Sequence, residues 1–123
     1  MTKPKRRILV VENDKDSGES LRDLLVEMGF HVHLVGDGES AVQVLPKLLP
    51  SIVLMDVGLP GIDGYETTRR IRKLDAGRTT LITALTGFGQ IQDIKKAAEA
   101  GMDNFLTKPV SPEKLLQGLA RYD

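Results

Sequence analysis

Polar residues with chemical capacity stand where four apolar runs stop. Glu12, Asn13 and Asp14 follow the run Ile8 to Val11, and Asp56 follows Ile52 to Met55. Thr86 follows Leu81 to Leu85, and Lys108 follows Asn104 to Thr107. Two acidic clusters, a hydroxyl and an ammonium make a definite set if they meet on one rim. Hard oxygen donors from a few carboxylates suit a magnesium ion that keeps several waters and completes its shell with a phosphate. A lone carboxylate nucleophile such as Asp56 can accept a phosphoryl group as an acyl phosphate, while a lysine and a metal neutralise the transferring oxygens. An Asp at the end of a strand also caps turns. The chemistry therefore rests on whether the elements bring the four ends together.

The runs Ile8–Val11, His31–Val35, Ile52–Met55, Leu81–Leu85 and Asn104–Thr107 are short and partly β-branched, as five strands are. Helical stripes fill the intervals. Leu21, Leu24, Leu25 and Met28 form the first, with Asp16 and Glu19 as a capping pair and Gly29 as the stop. Ala41, Val44, Leu45 and Leu48 form the second, which Pro46 should kink or end early. Tyr65, Thr68, Ile71 and Leu74 make a third, followed by the polar connection DAGRTT. Ile91, Ile94, Ala97 and Ala98 make a fourth, closed by Gly101. The fifth has Ser111 as cap, Pro112 at its first position, and Leu115, Leu116 and Leu119 on its apolar side. Strands alternating with helices of this length imply βαβ crossovers, so the fold class is α/β: a parallel sheet with helices on both faces. The first and third strands are apolar on both faces, as central strands are. In such open sheets ligands bind beyond the carboxyl ends of the strands, where the polar residues above stand.

Composition removes other classes. The 123 residues are 41% hydrophobic, the size and apolar content of one domain spanning 1–123, with residues 1–6 as a basic tail. Lys and Arg number 17 and Asp and Glu number 17, so no net field draws the chain to nucleic acid or an anionic membrane. The absence of cysteine excludes a disulfide framework and a thiolate nucleophile. The apolar run after Lys3, Lys5, Arg6 and Arg7 is too short for a signal core or a membrane span, and a cytoplasmic protein is the expectation. His31 and His33 alternate on the second strand and share a face that reads as solvent-facing. The stretch LPGIDG lacks the glycine pattern of a dinucleotide fingerprint.

The order ILVVEND, IVLMDVGLPGIDGYE, ALTG and NFLTKP resembles the receiver domain of bacterial response regulators over Arg7 to Arg121. Four strand-end motifs in order make the match specific, where any one alone is weak. The resemblance implies a flavodoxin-like, doubly wound sheet of five strands in order 2-1-3-4-5. It implies that Asp56 is phosphorylated, that Lys108 contacts the phosphoryl group, and that Mg2+ is held by Glu12, Asn13, Asp56 and the Gly58 carbonyl. Thr86 stands at the switch hydroxyl, Phe105 at the switch aromatic, and Gly87 at a position that leaves access to the phosphoryl group. Pro109 stands where the family usually has a cis bond. The implied partners are a histidine kinase or histidine phosphotransfer protein and a downstream protein, unnamed by the sequence, that reads the face of helix four, strand five and helix five. Such a receiver promotes only its own phosphorylation and dephosphorylation, and is no enzyme toward an external substrate.

One position departs from the family. Two adjacent acids usually end the first strand, and here Glu12 is followed by Asn13, an oxygen ligand without charge. That favours an alternative: a pseudo-receiver that acts as a phosphorylation-independent interaction module. A third reading, a magnesium-dependent phosphatase with an aspartyl nucleophile, would place a second acid two residues after Asp56, where Gly58 stands. The chain stops at Asp123 just after the fifth helix, which fits a free-standing receiver or one cut from a hybrid histidine kinase or larger regulator.

Overall fold

The computed structural model describes residues 6–87 and 93–119. Five strands, β1 (Arg7–Val11), β2 (His31–Val35), β3 (Ile52–Asp56), β4 (Leu81–Thr86) and β5 (Asn104–Thr107), alternate with five helices. These are α1 (Lys15–Glu27), α2 (Gly38–Leu48), α3 (Gly64–Lys73), α4 (Asp93–Ala100) and α5 (Pro112–Leu119), with one 3-10 turn at Asp75–Gly77. All pairings are parallel and the strand order is β2-β1-β3-β4-β5. The fold class and the strand order are those expected.

The strand pleat divides the core in two. Leu9, Val11, Val53, Met55, Ile82 and Ala84 point to one side, where Ala41 and Leu45 of α2, Ile71 of α3 and Ala97 of α4 cover them. Ile8, Val10, Ile52, Leu54 and Leu85 point to the other, under Leu25 of α1 and Leu115 and Leu119 of α5. Ile52 to Met55 are at most 1% exposed, so each contributes about 1.5–3 kcal/mol of apolar burial. That burial fixes the register, because a slip of one residue would turn every side chain to the wrong face.

Several local expectations are corrected. The cap of α1 is Asp14, whose carboxylate accepts the Ser17 N–H at 2.9 Å, and Asp16 lies within the first turn. Two acids two positions apart both suit a helix N-terminus, and the extended backbone at Asp14 decides between them. Pro46 does not end α2 early: it lies inside the helix, which runs on to Leu48, the last residue of its apolar stripe, and Leu49 then takes a left-handed φ of 50° with its N–H on the Leu45 carbonyl. In α4, Ala97 and Ala100 are buried while Ile94 and Ala98 are exposed, and Ile91 lies outside the described residues. In α5, Leu115 and Leu119 are buried and Leu116 is 54% exposed, since positions one apart on a helix cannot share the inward face. Ser111 caps α5 as expected, its hydroxyl accepting the Lys114 N–H at 3.2 Å.

One side chain without a sequence signature ties the amino ends of β4 and β5 to α3. Arg72 donates from Nε to the Gly101 carbonyl (2.9 Å) and from Nη1 to the Gly77 (2.8 Å) and Thr80 (2.7 Å) carbonyls. Its Nη2 meets the Asp103 carboxylate at 2.8 Å, which also accepts the Ile82 N–H at 2.9 Å. Replacing Arg72 by Ala strips several carbonyls of a charged donor and is expected to lower the unfolding free energy by about 3 kcal/mol. Arg72→Lys should recover only part of that, because one ammonium cannot fork between four acceptors. Urea unfolding midpoints of the two variants against the parent check both statements.

Candidate functional site

The parallel register carries the polar strand ends to one rim. Asp56 is the last residue of β3 and pairs with Leu85, and Thr86 closes β4 opposite Thr107. Glu12 follows β1, and its N–H bonds to the Val35 carbonyl of β2 at 3.0 Å. Lys108 follows β5, with its N–H on the Thr86 carbonyl at 2.8 Å. The Lys108–Pro109 peptide bond is cis, as expected.

At the centre of the rim one ammonium serves two carboxylates. Lys108 Nζ lies 2.6 Å from Glu12 Oε1 and 3.1 Å from Asp56 Oδ2. Glu12 is 5% and Asp56 9% exposed, so neither charge could stay there without such a partner. The other Asp56 oxygen, Oδ1, accepts the Gly58 N–H at 2.9 Å, and Glu12 Oε2 accepts the Asp14 N–H at 3.2 Å. Burial and then the neighbouring Asp56 push the Glu12 carboxyl above its ordinary range. Burial also works against the charged form of Asp56, but hydrogen bonds with Glu12, Gly58 and Lys108 outweigh it and hold its pKa low. Burial opposes the Lys108 charge too, and the two carboxylates overcome it and raise its pKa.

The loop behind Asp56 is fixed by close backbone packing. Asp63 caps α3 by accepting the Glu66 N–H at 2.9 Å, an Asp-to-Glu capping pattern legible in IDGYE. Gly64 then sits so near β3 that a Cβ there would lie 2.4 Å from the Asp56 carbonyl oxygen and 2.7 Å from the Val57 Cα. Any side chain at Gly64 would push the Asp56–Val57 backbone out of place.

The remaining expected residues are placed unevenly. Asn13 is exposed, and its Nδ2 donates to the Gly36 carbonyl at 3.3 Å. With the nitrogen so engaged, the amide oxygen is the atom left to offer a cation. Thr86 is buried, and its hydroxyl reaches toward the Leu106 carbonyl of β5 at 3.5 Å. Phe105 is 41% exposed, which excludes the ordinary core position for its ring in this structure. Gly87 follows Thr86 directly. Asp14 is the α1 cap, and its backbone N–H bonds to Glu12 at the site.

The donor set suits magnesium. Glu12 and Asp56 outnumber the Lys108 charge by one, both are hard oxygen donors, and the Asn13 oxygen adds a neutral one. Among the described residues no group of three His, Cys, Asp or Glu side chains converges on a point, so the chain would supply few anionic ligands and leave room for water and phosphate. A groove of about 550 Å³ runs up to Glu12 and Lys108 between α1 and the loop after β5. Leu21, Leu24, Leu85 and Val110 give it an apolar lining, and Ser17 and Ser20 edge it.

A family model described as the response regulator receiver domain matches residues 8–120. Among curated relatives, an uncharacterised 14.6 kDa protein of Leptolyngbya boryana is 35% identical over 115 residues, covering 94% of this chain and 88% of that one. The sensor histidine kinase RcsC of Salmonella typhi is 38% identical over 115 residues, covering 94% of this chain and 12% of the kinase. Among solved structures, a response regulator described as putative from Chloroflexus aurantiacus superposes with a TM-score of 0.91 at 34% identity, covering 97% of this chain and 98% of that one. The receiver domain of the sensor histidine kinase PA1611 from Pseudomonas aeruginosa, with magnesium coordinated in its active-site cleft, gives 0.89 at 34% identity over the same shares. The strand order and the span of the match agree: the chain belongs to the response regulator receiver domain family of two-component signalling.

Proposed function

We propose that the chain is a phosphoacceptor: Asp56 takes a phosphoryl group from a phosphohistidine of a histidine kinase or histidine phosphotransfer protein, with Mg2+. The observation that carries this reading is the buried cluster in which Lys108 touches both Glu12 and Asp56. An Asp56 oxygen attacks phosphorus, the bond to the imidazole nitrogen breaks, and the imidazole leaves with the bonding pair. The Gly58 N–H on Oδ1 and the Lys108 ammonium on Oδ2 orient the carboxylate, and Lys108 is near enough to follow the charge onto the phosphoryl oxygens. Held by Glu12, Asn13, Asp56 and the Gly58 carbonyl, Mg2+ would offset the negative charge that otherwise keeps phosphate away. The groove beside α1 offers the donor protein a way in, with an apolar lining for a helix and the reactive rim at its end.

Phosphorylation of Asp56 takes from Lys108 one of its two carboxylate partners and adds phosphoryl oxygens beside Thr86. The Thr86 hydroxyl, which makes a long contact to the Leu106 carbonyl, turns toward them, and the exposed Phe105 ring moves inward behind it. The readout is a changed α4–β5–α5 surface for a downstream protein, a two-state equilibrium biased by local charge. The match to a short stretch of a much longer kinase supports a receiver that serves within or beside a hybrid histidine kinase.

A second reading, the phosphorylation-independent interaction module, is favoured by Asn13, whose amide is tied to Gly36 and brings no charge. Acetyl phosphate with MgCl2 separates the two. A phosphoryl adduct by intact mass that needs magnesium and vanishes in Asp56→Asn supports the first, and no adduct at high magnesium supports the second. Asn13→Asp adds one charge to the ligand set and is expected to tighten Mg2+ binding about tenfold. Titration of backbone amide shifts by NMR measures it, and unchanged affinity would remove Asn13 from the metal site.

A further inference from the structure

We propose that His31 and His33 together hold a divalent transition-metal cation of the zinc, nickel or copper kind, remote from the phosphoryl rim. β2 is an edge strand, and both histidines are exposed on it. Residues two apart on a strand share a face, about 6.6 Å apart along it, close enough for two imidazoles to lean onto one ion. The backbone beneath them is held: β2 is paired to β1 along its whole length, and the His31 N–H bonds to the Arg6 carbonyl at 2.9 Å. Among the described residues neither imidazole has a hydrogen-bond or ion-pair partner to give up. Imidazole nitrogen suits zinc, copper and nickel, whereas magnesium prefers oxygen, so magnesium does not compete for the histidine pair.

The position is also distinct. His31 stands opposite Arg7 at the start of β1, and Asp56 stands at the far end of β3. Two ligands leave the remaining coordination positions to water, so binding should be modest. The exposed Arg7 guanidinium, on the neighbouring strand at the same register, weakens it further by repulsion.

Calorimetric titration of the untagged chain with NiCl2 and with ZnCl2 tests this, together with the electron paramagnetic resonance spectrum of the Cu2+ form. One site with a Kd of roughly micromolar order is expected, with two coordinated nitrogens in the copper spectrum. Excess MgCl2 should not displace the metal. His31→Asn and His33→Asn should each weaken binding by about tenfold or more, and Arg7→Gln should tighten it several-fold. Both histidines are exposed, so these variants keep the fold, which the urea midpoint verifies. Binding only at millimolar metal, or binding undiminished in the double His31→Asn/His33→Asn variant, overturns the proposal.

Discussion

A single ammonium between two buried carboxylates is the constraint on which the rest of the structure turns. Lys108 reaches Glu12 and Asp56 only if the ends of β1, β3 and β5 lie along one rim, and the three residues are spread over most of the sequence. Losing Lys108 would leave two negative charges in a site that water scarcely reaches, so the cluster and the sheet are conditions of each other. The apolar strands supply the stability that tolerates this polar rim. The rim, one negative charge in excess, keeps an unmet demand for a cation.

Much of this was legible because the strand signal is periodic and stops abruptly. The runs IVLM and ILVV are apolar at every position, as central parallel strands are, and the residue that follows each run stands at the carboxyl rim. The places of Asp56 and Glu12 at strand ends therefore follow from one dimension, and that of Lys108 from the end of NFLT. Side-chain direction does not. That the Thr86 hydroxyl leans on β5 and that Phe105 faces outward depend on rotamers and neighbours, which no spacing encodes. Neighbouring leucines in α5 look equally apolar, and only the packed geometry decides that Leu115 enters the core and Leu116 stays outside. Arg72 carries no sequence signal for another reason. Its acceptors are mostly backbone carbonyls, which every residue has, so their convergence leaves no trace in residue types.

The two rims of the sheet are built on opposite terms. At the carboxyl rim Lys108, Asp56 and Glu12 are charges whose pairing can be rearranged by a new group. At the amino rim the guanidinium of Arg72 clasps carbonyls and one carboxylate that have nowhere else to go. A sheet anchored at one end and adjustable at the other can transmit a change at its reactive edge without losing register.

That clasp also bears on how the molecule opens. Arg72 joins α3 to the turn at Gly77, the start of β4 at Thr80, the end of α4 at Gly101 and the approach to β5 at Asp103. Fraying at any of these points exposes charged and polar groups at the others, so partial unfolding in this stretch gains little until the whole of it lets go. The half of the sheet that carries Thr86, Phe105 and Lys108 should therefore behave as one cooperative exchange unit, its amides sharing a single opening free energy.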